Sequence, residues 1–315
     1  MKKNETPKVL LLGNGINRAF ADDSVSLKKL LDKITTNKVV GAELDALRKN
    51  NKENGQDASD VPFPLEIIMR TDDNVDFVMK NAGKELYGAV ENDEQRNFLR
   101  KILSMGFDHI LTTNYSYELE MASLPDDVQL TERKLQKFQT HTDDVKRAET
   151  QYLMHTYNTV EHNGMINNIW HIHGEARKPG TMIIGHYYYG NLLYKYKNLL
   201  NKRKNTYKFF QERGIEFRIK SWIDAFIIGD VYMLGFGMDF SELDLWWLIN
   251  RKKRENAMHG KIVFYEPEKT GFDMKKKLLE DYEAEVKNLG YSRDNANYKE
   301  FYKAVLDDIE MNLAN

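Results

Sequence analysis

The chain has 315 residues, 41% of them hydrophobic and 11% aromatic, which is enough to fill the core of one large domain or two modest ones. Its 46 Lys and Arg residues nearly balance its 48 Asp and Glu residues, so it lacks the basic excess that nucleic-acid-binding domains usually show. It contains no cysteine, which excludes disulfides, cysteine-ligated zinc, iron–sulfur clusters and thiol nucleophiles.

Neither a membrane nor a nucleic acid is an expected direct partner. The N-terminal sequence contains only a short apolar run, and nothing approaches the roughly 18 apolar residues needed to span a bilayer, so we expect a cytoplasmic protein. The basic runs Lys202–Lys204, Arg251–Arg254 and Lys275–Lys277 are interpreted as solvated helix faces, because acidic residues balance them elsewhere in the chain.

The first third of the chain predicts one strand followed by helices. Lys8–Leu12 is an apolar run that ends in Gly13-Asn14-Gly15, and Ser26–Ile34 then carries apolar residues at helical spacing. Charged, helical sequence continues over 40–105, interrupted by the polar stretch NKENGQDASDVPFP, which we predict to be an exposed loop. The helical period resumes at Glu66–Lys80 and Glu94–Leu103.

The rest of the chain predicts five further strands. The first, Phe107–Leu111, runs into Thr112-Thr113-Asn114, and polar helix or loop follows over 117–165. The other short apolar runs are Asn168–His173, Thr181–Ile184, Val231–Leu234 and Lys261–Tyr265. Helices are predicted around Lys202–Lys208, at Trp222–Ile228, over Glu242–Arg254 and after Tyr265. Because strands alternate with helices, the pattern predicts an α/β protein with a parallel sheet covered on both faces.

Small or polar residues follow three of these strands, at Gly13-Asn14-Gly15, Thr112-Thr113-Asn114 and Gly235-Phe236-Gly237. Open α/β sheets bind ligands beyond the carboxyl ends of their strands, so we expect the site there. The first turn matches G-x-G, in which glycines let the backbone approach a pyrophosphate. Arg18 stands where the dinucleotide-binding motif has its third glycine. About 20 residues further on, no predicted strand ends in the acidic residue that would bind a ribose, so an ordinary nicotinamide dehydrogenase is disfavoured. A tight strand-to-helix turn without a ligand is the alternative.

The densest ionisable cluster is Trp170-His171-Ile172-His173-Gly174-Glu175, where strand alternation predicts both imidazoles on one face. His173 is a candidate general acid or base, because an ordinary imidazole pKa of about 6.5 allows proton transfer near neutral pH. A metal-binding pair is the alternative, since five of the eight histidines fall between residues 155 and 186, but no H-E-x-x-H motif supports it.

Asn114 is suited to orient a water or a ribose hydroxyl, or else to cap a helix beginning near Tyr117.

Five short motifs, taken in chain order, resemble those of the sirtuin-like family in its bacterial branch: GNGIN, TTNYS, HIHGE, KPGTMIIG and GFGMDFSELD. This branch comprises the NAD-consuming effectors of antiphage defence, such as those of Thoeris systems. The resemblance spans roughly residues 8–270. It implies a single domain over 1–315 with a Rossmann-like core from about 8–35, 105–120, 168–186 and 221–270. Helical insertions would occupy about 40–105, 120–165 and 187–220.

The resemblance also implies a site. Asn114 and His173 would be catalytic, with His173 as the proton acceptor. The implied NAD-binding residues are Gly13, Asn14, Gly15 and Asn17 at the diphosphate, Thr113, Asn114 and Tyr115 at the nicotinamide ribose, and Gly235, Phe236, Gly237, Asp239 and Glu266 toward the adenosine half. The family commonly has Tyr-Asp where this chain has Tyr115-Ser116, so Asp239, Asp244 and Glu266 remain alternatives for a ribose-binding carboxylate.

The missing cysteines separate two activities within this family. Its protein deacylases carry a zinc module built on four cysteines, which this chain cannot form. The resemblance therefore implies an NAD+ glycohydrolase, with NAD as substrate and no metal, that depletes NAD+ in antiphage abortive infection. The alternatives are an NAD-dependent deacylase, a non-catalytic NAD- or ADP-ribose-binding module, and the AbiH-type abortive-infection family, over which Thr112-Thr113-Asn114 favours the sirtuin-like branch.

Such an enzyme needs a control on its activity, because a freely active NAD+ hydrolase would kill its host. The short stretch of chain after the last predicted strand leaves little room for a sensor domain. We therefore expect a homo-oligomer, or activation by a partner chain such as a HerA-type ATPase, a short Argonaute protein or a phage-sensing chain.

Overall fold

Eight strands form one sheet in the computed structural model, which describes residues 6–20, 31–32, 34–53, 63–72, 74, 86–213, 217–240, 242–255, 260–268, 273–292 and 297–313. The strands are β1 (Lys8–Leu12), β2 (His109–Thr112), β3 (Gln139–His141), β4 (Thr156–His162), β5 (Met165–His171), β6 (Asp230–Leu234), β7 (Ile262–Tyr265) and β8 (Ala284–Lys287). The described helices are α1 (Gly15–Phe20), α2 (Lys38–Glu53), α3 (Phe63–Thr71), α4 (Asp93–Leu103), α5 (Glu118–Ser123), α6 (Glu132–Phe138), α7 (His186–Glu212), α8 (Trp222–Ile228), α9 (Leu243–Glu255), α10 (Asp273–Asp281) and α11 (Tyr298–Leu313).

The strand order across the sheet is β3-β4-β5-β2-β1-β6-β7-β8. The six strands from β5 to β8 in this order are parallel, whereas β4 runs antiparallel to both β3 and β5. The order reverses at β1, because the chain goes from β1 to β2 on one side and later crosses from β5 to β6 on the other. The carboxyl ends of β1, β2, β5 and β6 therefore lie along one edge, at a switch point of the kind where open α/β sheets bind ligands.

Strand β1 illustrates why helices cover both faces of the sheet. Val9 and Leu11 belong to one core cluster, whereas Leu10 and Leu12 belong to the other, and none of the four is more than 3% exposed. The first cluster includes residues of α7, α8, α9 and α10, and the second includes residues of α1, α4, α5 and α11. A strand buried on both faces needs a continuous apolar run, which is what KVLLL provides. The predicted α/β architecture is confirmed.

Several elements match their sequence prediction closely. Strand β1 has the predicted bounds. Helix α4 begins one residue before the predicted start, and α9 is shifted by one residue toward the C-terminus relative to its predicted range. Helix α8 has all seven residues buried, as its apolar sequence predicted, and it begins after Ser221, whose side chain accepts a hydrogen bond from the Asp224 backbone. The helix predicted over Ser26–Ile34 falls mostly outside the described residues, as do residues 54–62 of the predicted loop and 75–80 of the helix predicted over Glu66–Lys80.

Two regions predicted to lack strands contribute to the sheet. The segment over 120–165, predicted as a helical insertion, contains β3 and β4, and the region after Tyr265 contains β8. Strand β4 has the two-residue period of a strand, but its buried positions include Thr156 and Asn158, whose polar side chains form internal hydrogen bonds. Hydrophobicity alone therefore does not reveal it.

The strand predictions on either side of the histidine cluster also need correction. Strand β5 begins at Met165 and ends at His171, so His173 lies in the turn beyond the strand. The strand predicted over Thr181–Ile184 is wrong: a short 3-10 helix, Pro179–Thr181, precedes an extended segment that has no sheet partner. Its apolar residues are buried against the carboxyl edge of the sheet instead of within it.

One lysine of the basic run Arg251–Arg254 is not on a solvated face. Lys252 is 7% exposed, and its ammonium group donates hydrogen bonds to the backbone oxygens of Phe226, Ile227 and Gly229 at 3.0, 2.9 and 2.6 Å. These oxygens belong to the C-terminal end of α8, where helical carbonyls lack intrahelical partners. Lys252 therefore caps α8 from a neighbouring helix.

None of the described helices is long and apolar enough to cross a lipid bilayer.

Candidate functional site

The turns after β1 and β6 contact each other directly. Gly13 N donates to Leu234 O at 3.0 Å, and Gly15 N donates to Gly235 O at 2.9 Å. A Cβ atom on Gly13 would lie 2.4 Å from Gly235 O, and one on Gly15 would lie 2.8 Å from the same atom. Gly235 has a φ of +82°, which favours glycine. Gly13, Gly15 and Gly235 are thus required by contact between two backbones, whether or not a ligand binds there.

The first turn leads into α1 and a buried amide. Asn17 is 3% exposed, and its side chain lies between those of Asn14 and Gln95, at 3.4 Å from each. Gln95 belongs to α4 and also accepts a hydrogen bond from the Glu91 backbone at 2.9 Å. The local role of Asn17 is therefore to connect the first turn to α4.

The turn after β2 holds Asn114 by its backbone. Asn114 N donates to Thr112 Oγ1 at 3.1 Å, and Asn114 O is 2.8 Å from His171 Nδ1. The side-chain amide of Asn114 is half-buried and forms no hydrogen bond with any described residue. It therefore keeps both its donors and its acceptor available for a ligand. Thr113 is half-buried beside it, with its backbone N bonded to Leu12 O.

His171 forms a buried pair with Glu120 of α5. Its Nε2 lies 2.9 Å from Glu120 Oε1, and the two residues are 3% and 1% exposed. Burial by itself lowers the pKa of His171, but the Glu120 carboxylate outweighs it and raises the pKa to about 9. Both ring nitrogens of His171 are occupied by protein partners.

His173 forms a second buried pair, with Asp244 of α9. Its Nε2 lies 2.7 Å from Asp244 Oδ2, and its ring meets Tyr189 edge-on at 5.7 Å. Burial lowers the pKa of His173, but Asp244 more than compensates and raises it above the ordinary value. Among the described residues none bonds to Nδ1, which leaves that nitrogen available to take up a proton.

Tyr115 connects the β2 turn to this second pair. Its hydroxyl donates to Ile183 O at 2.9 Å, and Ile183 N donates to His173 O at 2.8 Å. Burial raises the pKa of Tyr115 above its ordinary value, with Asp244 adding to the effect. The uncharged Tyr115 side chain therefore connects the β2 turn to the segment that follows His173.

A small cavity of about 20 Å3 lies among the ends of β1, β2 and β5, with room for about one water molecule. Leu12, Gly13 and Leu99 are among its apolar lining residues. Its polar lining comes from Asn17, Thr112, Asn114, Ser116, Glu118, Glu120 and His171. Of the two predicted catalytic residues, Asn114 lines this cavity and His173 does not.

Two further acids near the site have raised pKa values. Burial raises the pKa of Glu118 to about 7, against the lowering effect of Ser116, whose hydroxyl donates to Glu118 Oε2 at 2.6 Å. Burial likewise raises the pKa of Glu242 to about 7, and the neighbouring Asp244 carboxylate adds to the shift. Groups that titrate near neutral pH beside a cleft are candidates for proton transfer.

The remaining residues predicted for the adenosine half are dispersed. Phe236 is 4% exposed and belongs to the core, whereas Gly237 and Asp239 are exposed in the loop before α9. Asp239 O accepts a hydrogen bond from Trp246 Nε1 at 3.0 Å. Glu266 is 6% exposed and follows β7, two strands away from β1. These residues therefore differ in burial, and they follow two different strands of the sheet.

The predicted alternatives for the histidine cluster are resolved in part. The two imidazoles bind carboxylates on different helices, so they do not form a pair. In the ranges that the structure describes, no group of three or more His, Asp or Glu side chains could hold a metal ion.

The sequence analysis did not identify Glu118 and Glu120 as site residues, although both lie within six residues of Asn114 on a helix that starts just after it.

No protein-family model and no curated protein sequence matches this chain.

Proposed function

We propose that the protein is an NAD+ glycohydrolase that cleaves NAD+ to nicotinamide and ADP-ribose. The observation that carries the proposal is the combination, at the switch-point edge, of an unbonded amide and an oriented base. The amide is Asn114, whose backbone is held while its side chain forms no hydrogen bond with any residue that the structure describes. The base is His173, one nitrogen of which is bonded to Asp244 while the other has no partner among the described residues.

The reaction needs these two kinds of group. The C1′–N1 bond of NAD+ breaks and its electron pair neutralises the pyridinium, so nicotinamide leaves uncharged. Water forms a new bond to C1′ and loses one proton. The transition state is oxocarbenium-like, and preorganised polar groups stabilise such charge. Asn114 would orient the water or the ribose hydroxyls, and His173 Nδ1 would accept the proton.

The size of the cavity limits how NAD+ could bind. About 20 Å3 accommodates a water molecule and not a dinucleotide. NAD+ would therefore lie along the open carboxyl edge, with its nicotinamide ribose near Asn114. The turns after β1 and β6 would contact the rest of the molecule through their backbones, since a Cβ atom on Gly237 would meet no atom of the described residues within 4 Å.

The test is chromatographic detection of nicotinamide and ADP-ribose from NAD+, with the purified chain alone and together with the product of the adjacent gene. We expect Asn114→Ala and His173→Ala each to reduce kcat by about 100-fold or more. The control is His162→Ala, because His162 lies at the β4–β5 turn on the opposite edge of the sheet. Full cleavage in both site variants would reject the proposed residues, and calorimetric NAD+ binding without turnover would instead indicate a binding module.

We further propose that the activity depletes NAD+ during antiphage abortive infection and is gated by self-assembly or by a partner chain. The support is the resemblance of the ordered motifs to defence effectors. The native mass of the active and inactive samples, measured beside the cleavage assay, distinguishes the two modes of gating. Activity that is full in the isolated monomer would contradict both.

A further inference from the structure

His171 is the one buried histidine of the site that the proposed reaction does not use. Its Nδ1 faces Asn114 O at 2.8 Å, and its Nε2 faces Glu120 Oε1 at 2.9 Å. A backbone carbonyl can only accept a hydrogen bond, so Nδ1 must carry a proton. An ionised carboxylate also only accepts, so Nε2 carries a second proton if Glu120 is charged.

A third residue indicates that Glu120 is charged. Asn158 Nδ2 on β4 donates to the same Oε1 atom at 2.8 Å. If Oε1 carried a proton and donated it to a neutral His171, its hydroxyl oxygen would be a poor acceptor for the Asn158 amide, so the contact with Asn158 favours an Oε1 that accepts from both partners. His171 is therefore an imidazolium in a nearly solvent-free environment. Glu175, a further acid near the ring, and the pKa of about 9 support this charge.

The imidazolium of His171 affects the site through its contact with Asn114. The Asn114 side chain has no bond of its own to a described residue, so its position depends on its backbone. That backbone is bonded at N to Thr112 and at O to His171. Because Thr112 ends β2 and His171 ends β5, the two bonds tie Asn114 to two neighbouring strands.

We propose that His171 is a positioning residue: a buried imidazolium, paired with Glu120, that fixes Asn114 at the edge of the cavity. The catalytic part of this inference rests on the proposed NAD+ cleavage, but the protonation state and the contact do not. His171 acts through its Nδ1 proton, and Glu120 acts by keeping the ring charged and oriented.

Nitrogen NMR of the full chain labelled at its eight histidines tests the charge directly. We expect both nitrogens of His171 to be protonated at pH 7 and to stay so until the pH approaches about 9. In Glu120→Gln the counter-charge is lost, and the glutamine amide can turn its NH2 group toward His171 Nε2 at the expense of the contact with Asn158. His171 should then be neutral at pH 7, with its remaining proton on Nδ1.

Two variants separate the role of the contact from that of the charge. His171→Ala removes the bond to Asn114, so the Asn114 carbonyl carbon signal should shift and kcat should fall about 100-fold with little change in KM. Glu120→Gln keeps the Nδ1–H bond, so its loss in kcat should be much smaller. The control is His155→Ala, because His155 Nδ1 also contacts a backbone oxygen, that of Lys220, at 2.7 Å but lies away from the cavity.

The possible outcomes are distinct. If His171→Ala does not fold, because Glu120 is left as an unpaired buried charge, the double variant His171→Leu, Glu120→Gln removes both charges together and takes its place. A singly protonated His171 at pH 7, or an unshifted Asn114 signal, overturns the inference. Equal losses in His171→Ala and Glu120→Gln overturn the positioning role in favour of the charge itself. If wild type shows the expected NMR signals but never cleaves NAD+, the proposed function fails and the contact stands.

Discussion

Two histidine–carboxylate pairs lie near the carboxyl end of β5, and they differ at the scale of single atoms. His171 has both nitrogens engaged by acceptors, whereas His173 has one nitrogen without a partner among the described residues. A ring held on both sides can position a neighbour but cannot readily exchange a proton. A ring held on one side by a carboxylate has a defined tautomer and an available second nitrogen. The two residues of HIH are thus suited to different tasks.

Glu118 gives a prediction about pH at the same scale. Its pKa is raised from about 4.5 to about 7 by burial, so the folded chain holds a proton that the unfolded chain has lost between these pH values. Stability therefore falls as the pH rises through this window. We expect Glu118→Gln to be up to about 3 kcal/mol more stable than wild type at pH 8, and nearly equal to it at pH 4.

Urea denaturation at both pH values measures this difference. Glu161→Gln is the matched control, since Glu161 is exposed on β4 and should show no such difference. A Glu118→Gln variant that is less stable than wild type at pH 8 would show that the charged carboxylate is favoured in the folded protein.

At the scale of elements, the contact between the turns after β1 and β6 determines where side chains are tolerated. A methyl group on Gly13 would meet Gly235 O at 2.4 Å, and both partners are backbone, so neither can rotate away. We expect Gly13→Ala to cost about 1–3 kcal/mol of stability, seen as a lower thermal midpoint. Gly237→Ala should cost little, because no atom of the described residues lies within 4 Å of the added methyl group.

The same two variants separate structure from ligand contact. If the loop after β6 approaches NAD+, Gly237→Ala should weaken binding in calorimetry while the thermal midpoint stays near that of wild type. Unchanged affinity in Gly237→Ala would argue against a role for this loop in NAD+ binding.

Lys252 links α9 to α8 and gives a second prediction about elements. Replacing it by Met leaves three backbone oxygens at the end of α8 without their donor. We expect Lys252→Met to lose about 1–3 kcal/mol in urea denaturation, because buried acceptors without partners are costly. Arg254→Met, at an exposed position two residues further along α9, should change stability by less than about 0.5 kcal/mol.

At the scale of the whole molecule, the order of the sheet predicts how stability is distributed. Strand β1 has a paired strand on each side and helices over both faces, whereas β3 lies at an edge and is half-buried or exposed. Amide hydrogen exchange should be slowest in β1 and its neighbours β2 and β6, and faster in β3. Added NAD+ should slow exchange in peptides covering 12–18 and 112–119. Protection confined to β3 or β8 would place the ligand elsewhere.

Sequence patterns predicted the central fold because its determinants are local. Strands buried on both faces read as short apolar runs, as at β1 and β6, and α8 and α9 carry apolar residues at helical spacing. The edge region was harder to predict. Strand β4 buries Thr156 and Asn158, whose hydrogen-bond partners are distant in sequence, so its burial leaves no apolar pattern.

By itself, the sequence determined that the chain forms an α/β sheet, that Gly13 and Asn114 follow strands, and that cysteine-based zinc chemistry is excluded. Only the tertiary structure decided which groups meet at that edge. His171 contacts Glu120 from 51 positions away, and His173 contacts Asp244 from 71 positions away. The reason is physical: spacing along one strand predicts the face on which a side chain lies, but its protonation and role depend on a partner supplied by another helix.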